Sequence, residues 1–334
     1  MKNMGKCVVF LAALFFTCTI QFSLGAEASI IIKLAHQYPI NDPITRGSEY
    51  FAKQLAERTK GEVKVDLYPA SMLYKDTEIA TAVRDGAIQM GFCTVNQLES
   101  LVPIAEVLSI PFLSATPEAG IKTEQGKVGK MLIDKVSRIG LKHVFWVDFG
   151  FTDLFTTKKL VKKPEDLQGL KIRVVGGKIA SETIKALGAA PVFISSAEVY
   201  MALSRGVADG YLSAVNSFYA RKNYEVAKYA TKFNLFYGHS FAIINMKFWE
   251  SLPNEIKEVI QEVGRDAEDK VRKWAEEQEI ESINRVKEKG VTVYYPTSEE
   301  KILFIKAVQP VWEDFSKRYG KEGEELLQWI KANL

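Results

Sequence analysis

From Ile30 onward the chain keeps repeating a short β-branched run, a turn and an amphipathic helix. Ile30, Ile31, Ile32 and Leu34 form the first run, and Pro39, Asn41, Asp42 and Pro43 mark the turn after it. Phe51, Leu55 and the stop Thr59-Lys60-Gly61 outline a helix. Val63, Val65 and Leu67 then alternate as a strand that ends at Pro69. Ile79 to Val83 is helical, and Asp85-Gly86 turns into Ile88-Gln89-Met90-Gly91-Phe92. This rhythm predicts an α/β domain with a largely parallel sheet.

A second set of elements begins after Gly140. Strands are expected at His143–Val147, Leu170–Val175, Pro191–Ile194, Asp209–Leu212 and Phe241–Asn245, with helices at Ile179–Leu187 and from Ser196 to Arg205. From Ser251, apolar residues recur at three- and four-residue spacing through Ile256, Val259, Val263, Ala267, Val271 and Trp274, and the pattern fades at Lys289-Gly290. A helix of about 35 residues is long for a globular protein, long enough to run across two domains. Val291–Tyr295 is a last strand, and two helices follow, with Pro310 starting or kinking the second. The 334 residues suit about two domains. With no Pro/Gly/Ser-rich linker between them, several short crossovers would join the domains and make a hinge, and ligands often bind in clefts between domains.

Lys2 and Lys6 precede an apolar run from Cys7 to Leu14 that continues to Leu24, with small residues at Ser23, Gly25 and Ala26. That is the pattern of a cleaved export signal, cut after Gly25 or Ala26; the alternative is a membrane anchor. Removal of residues 1–25 takes away both lysines and no acid, lowering the net charge from +3 to +1. So small a charge gives no sign of a nucleic-acid partner. Cys7 and Cys18 lie in the signal and Cys93 alone remains, so no internal disulfide is expected.

Covalent and metal chemistry find little support. His36, His143 and His239 lie far apart and none belongs to a zinc motif. There is no Gly-x-Ser-x-Gly elbow, Ser195-Ser196 suits a helix cap, and Val175-Gly176-Gly177-Lys178 reads as a turn. No enzyme activity is expected, and neither a cofactor nor a metal. Arg173 stands apart, because alternation in Leu170–Val175 puts it opposite Ile172 and Val174. Its guanidinium fork suits a bidentate carboxylate; an internal salt bridge or a solvent-facing position is the alternative.

Several stretches resemble the solute-binding proteins of TRAP transporters, of the DctP type. They are Phe51–Pro69 (FAKQLAERTKGEVKVDLYP), Asp85–Gly91 (DGAIQMG), Ile110–Leu113 (IPFL), Pro164–Val174 (PEDLQGLKIRV), Glu198–Leu203 (EVYMAL) and Gly206–Gly210 (GVADG). The resemblance covers essentially all of the chain after the signal. It implies a periplasmic two-domain α/β clamshell with a long helix spanning both domains, closing on one organic acid for delivery to an ion-gradient-driven membrane permease. By this resemblance residues 26–150 plus 239–278 form domain I, and 151–238 plus 279–334 form domain II. It also implies that Arg173 binds the ligand carboxylate, with His36, Gln37, Asp76, Thr94, Asp153, Ser196 and Ser213 facing the cleft. A monomer is the default, and a cation beside the carboxylate stays open.

The sialic-acid-type pattern is broken in places. Gly150-Phe151-Thr152-Asp153 carries no second arginine, and Tyr211-Leu212-Ser213-Ala214 stands where Gln-Glu-Asn-Pro is usual. Asp153 either receives an ammonium group or caps a turn. Phe151, Tyr211, Phe218 and Tyr237 either enclose an apolar tail or belong to the core. The expected ligand is a monocarboxylate with an apolar or aromatic body, such as an aromatic amino or oxo acid. A C4-dicarboxylate, a sugar acid, or a role in presenting ligand to a sensory receptor are the alternatives.

Overall fold

The computed structural model describes residues 30–114 and 116–333. The expected export signal, residues 1–25, lies outside them. Among the described residues no helix is long and apolar enough to cross a membrane.

Local chemistry places most elements where the sequence puts them. Asp42 accepts the Ile44 amide at 3.0 Å and Pro43 occupies the first turn, so a helix starts there and runs Pro43–Arg58. It buries Ile44, Phe51 and Leu55 on one stripe. Among the described residues nine strands form one sheet: β1 (Ile30–Ala35), β2 (Val63–Tyr68), β3 (Met90–Thr94), β4 (Leu141–Thr156), β5 (Lys171–Val174), β6 (Ala190–Phe193), β7 (Gly210–Ser213), β8 (Tyr229–Asn245) and β9 (Thr292–Tyr294). Their order is β2-β1-β3-β8-β4-β7-β5-β6, with β9 beside β8. The strands at each end pair in parallel, as the alternating pattern predicts.

The centre differs from that expectation. β4 and β8 are 16 and 17 residues long and pair antiparallel with each other. Only their apolar halves, around Val144–Val147 and Phe241–Asn245, stood out in the sequence. The pair runs through the middle of the sheet, and its register shifts between Asp148 and Phe151 and again between Thr152 and Leu154. Gly150 at φ 80° and Asn234 at φ 58° lie in these irregular stretches.

Buried side chains form one cluster around β1 and β3, with Phe51, Phe92, Phe145 and Ile244, and another around β7, with Phe155, Phe218 and Val286. These lie one in each of two α/β lobes, and a larger cluster runs through both, from Ala35 and Cys93 to Ile172 and Val174. The long helix spans Asn254–Glu288, 35 residues, and packs on the helix Pro43–Arg58 and on β4, then on the short helix Val215–Ala220 and on β9. It therefore follows both lobes. The helix Gln309–Asn333, kinked at Gly320 with φ 51°, touches both Lys127–Arg138 and Lys178–Ala186.

Candidate functional site

A cavity of about 130 Å³ lies where β3, β4, β5, β7 and β8 converge. Arg173 projects into it from β5, while its neighbours Ile172 and Val174 are buried among apolar side chains. The Arg173 guanidinium is 6% exposed. Nε donates to the Ile194 carbonyl at 2.7 Å and Nη2 to Ser196 Oγ at 2.9 Å. Burial lowers the Arg173 pKa to about 10, and Asp76, 4.0 Å away, opposes that fall. Among the described residues Nη1 has no protein acceptor, so part of the fork stays available.

Arg221 is the second arginine of the cavity. It closes the short helix Val215–Ala220, and its Nη1 donates to the Ser196 carbonyl at 3.3 Å while Nη2 donates to the Gln37 carbonyl. Both guanidinium groups thus meet at Ser196. The sequence departed from the sialic-acid-type pattern by lacking an arginine near Phe151; the tertiary fold brings one from a different helix. Nothing local marks it, since Arg221-Lys222 after a short helix looks like any solvated helix end.

Of the other expected residues, Gln37, Thr94, Ser196, Tyr211, Ser213 and Tyr237 line the cavity. Tyr211 lies beside Arg173 in register, and its hydroxyl accepts from Asn223 Nδ2 at 2.7 Å. Asp76 stands one layer back: its carboxylate accepts the Thr77 and Ser196 amides at 3.1 Å each, fixing the segment that holds both arginines. Residues not singled out in the sequence complete the walls, notably Tyr38, Asn96, Gln97, Phe149, Ser217 and Phe236.

Besides Asp76, four expected residues do not line the cavity. His36 is fully buried, stacks on Phe92 with ring centroids 5.3 Å apart, and has Nε2 3.2 Å from Ser48 Oγ. Burial lowers its pKa to about 3, so it is a neutral core histidine. Phe218 stacks on Phe155 at 4.0 Å in the core beneath β7. Phe151 packs edge-on against Tyr237. Asp153 is fully buried in an ion pair. Lys232 Nζ lies 2.6 Å from its carboxylate and the Asn234 amide donates to it at 2.9 Å. Although burial opposes the charge, Asp153 and Glu279 hold Lys232 protonated.

Behind Tyr237 and His239 lies a buried ionic network. Arg272 Nε and Nη2 donate at 2.6 Å to Asp148 and Glu124, and His239 Nδ1 is 2.6 Å from Glu124. Glu124, Asp148 and His239 are close enough together to suggest a metal site. The Arg272 guanidinium already bonds both carboxylates, so it serves as their cation. Burial pushes Glu124 up to about 7. The network joins β4 at the register shift to β8 and to the long helix.

Other contacts also cross between the lobes. Ser217 Oγ donates to Asp42 Oδ2 at 2.6 Å, and the Lys178 amide donates to Glu99 at 3.0 Å. Burial, with Glu106 nearby, raises Glu99 to about 8. The folded form therefore holds a proton that the unfolded chain releases near pH 4.5, and stability falls as pH rises from about 4.5 to 8. Glu99→Gln is expected to flatten that slope, gaining of the order of 3 kcal/mol on wild type between pH 5 and 8.5 in urea melts. Parallel slopes in the two proteins would show that Glu99 ionises normally.

The fold and the enclosed guanidinium groups define a two-lobed protein built to enclose a small organic acid. The chain belongs to the bacterial extracellular solute-binding proteins of family 7, whose DctP profile matches residues 34–318. It is 32% identical over 295 residues to the C4-dicarboxylate-binding periplasmic protein DctP of Rhodobacter capsulatus, covering 88% of each chain. It is 29% identical over 318 residues to the 2,3-diketo-L-gulonate-binding periplasmic protein YiaO of Escherichia coli, covering 95% and 96%. The crystal structure of a TRAP periplasmic solute binding protein from Sulfurospirillum deleyianum with bound succinate superposes with a TM-score of 0.87 at 30% identity, over 92% of this chain and all of that one.

Proposed function

We propose that this chain is the periplasmic solute-binding subunit of a TRAP transporter, carrying a four-carbon dicarboxylate to an ion-gradient-driven permease rather than transforming it. The presence of two arginines, Arg173 and Arg221, in the wall of one cavity carries the reading: a diacid has one carboxylate for each. The succinate-bound neighbour and the Rhodobacter relative support it. Residues 1–25 would export the chain. The lobes would close by bending where β4 and β8 lose register, with the domain boundaries near 150 and 238 expected from the sequence.

The second arginine favours a diacid over the apolar or aromatic monocarboxylate suggested by the sequence; of the four aromatic residues expected around an apolar body, Tyr211 and Tyr237 line the cavity and Phe151 and Phe218 do not. A sugar acid is the second reading, favoured because both arginines reach one residue, which would let one carboxylate bridge them.

Calorimetry separates the two. In the diacid reading, Arg221→Gln weakens succinate at least tenfold and leaves butyrate within threefold. Unchanged succinate affinity would remove Arg221 from the site.

A further inference from the structure

We propose that Glu99 is a latch on the cleft: from the first lobe it caps the helix Lys178–Ala186 of the second, and so helps hold the two lobes closed over a bound acid. The latch acts on whichever acid the arginines hold.

Glu99 follows β3 and the short helix Val95–Leu98 in the first lobe. Lys178 follows β5, the strand that carries Arg173, in the second. In the sheet β8, β4 and β7 stand between those two strands, so no local structure obliges the two residues to meet. Yet Glu99 Oε2 accepts the Lys178 amide at 3.0 Å, and Glu99 is 8% exposed.

The helix needs that acceptor. The first amides of a helix have no carbonyl partner within it, and Gly177 at the cap position has no side chain to supply one. Gly177 also lets the lobes approach. Its φ of 84° suits glycine, and a Cβ there would lie 2.6 Å from Glu99 Oε2 and 2.8 Å from Asn96 Nδ2. The turn Val175-Gly176-Gly177-Lys178 thereby gains a role: its backbone receives a side chain from the opposite lobe.

The first lobe aims that side chain. Asn96 Nδ2 donates to Glu99 Oε1 at 3.4 Å and Ser109 Oγ lies 3.3 Å from the same oxygen. Glu99 stays outside the arginine cavity. It lines a second cavity of about 520 Å³ between the lobes, which shares Asn96, Gln97 and Val175 with the first. Glu99 is therefore a positioning residue. A contact made only in the closed form raises the closed fraction, and so strengthens every ligand by the same factor. Because its carboxyl keeps its proton up to about pH 8, glutamine reproduces its shape and its acceptor.

The test is hydrogen exchange at the Lys178 amide, read by NMR with and without succinate, beside calorimetry with succinate and D-glucuronate. Succinate is expected to slow that amide at least roughly tenfold in the wild type and in Glu99→Gln, and less than about threefold in Glu99→Ala. Glu99→Ala should weaken both acids equally, by about three- to tenfold, the worth of one hydrogen bond, and Glu99→Gln should restore both. An amide equally slow with and without succinate in the wild type would make the contact fixed packing and overturn the latch, with the arginines left standing. That measurement needs no variant, so it holds even should Glu99→Ala fail to fold. Unchanged affinities in Glu99→Ala, or unequal losses for the two acids, would also overturn it. Heat from D-glucuronate alone would overturn the diacid reading, and the exchange is then read with that acid. Heat from neither would overturn both together.

Discussion

Arg173→Ala is expected to weaken succinate binding at least about thirtyfold in calorimetry while leaving the protein folded. The ligand carboxylate would be buried opposite nothing, and removing one partner of a buried, hydrogen-bonded charge pair costs about 2–5 kcal/mol or more. That range corresponds to roughly thirtyfold to several thousandfold in affinity. The fold should tolerate the change, since Asp76 keeps the Thr77 and Ser196 amides when the guanidinium goes. Arg173→Lys should fall between the two, because an ammonium keeps the charge but cannot hold Ile194, Ser196 and a carboxylate in one plane. Near-wild-type binding by Arg173→Ala would place the carboxylate elsewhere in the cavity.

The largest effect on stability should come from a residue that touches no ligand. Lys232→Met would leave Asp153 buried without its cation, and breaking a buried ion pair by removing one partner costs about 3–5 kcal/mol. At roughly 2–4 °C per kcal/mol for a protein of this size, the melting temperature should fall by about 6–20 °C. The double variant Lys232→Met, Asp153→Leu should recover much of that loss, since it removes the stranded charge as well. An unchanged melting temperature for Lys232→Met would return Asp153 to the list of groups free to meet a ligand.

These two residues also show how far local sequence reaches. Arg173 was legible because a charged side chain interrupting an apolar strand needs a partner, and the period of two sets its face. Lys232 was not, because its partner lies 79 residues away across an irregular register of β4 and β8. His36 failed in the opposite sense: its position after β1 suited a cleft residue, but Phe92 and Ser48 enclose it. The helices and most strands were legible, because periodicity, caps and turn residues act over a few neighbours. The first half of β8 was missed because Lys232, Asn234 and Gly238 break the apolar run that marks its second half.

The sequence by itself determined the alternation of strands and helices, the 35-residue helix, the family and the side of its strand on which Arg173 sits, opposite Ile172 and Val174. Each follows from spacing or a motif within a few residues. Only the tertiary structure decided that Arg221 joins Arg173 at Ser196 and that Asp153 is spent on Lys232. These depend on which distant segments the sheet places side by side, and hydrogen-bond satisfaction is a property of that neighbourhood rather than of any one stretch of chain.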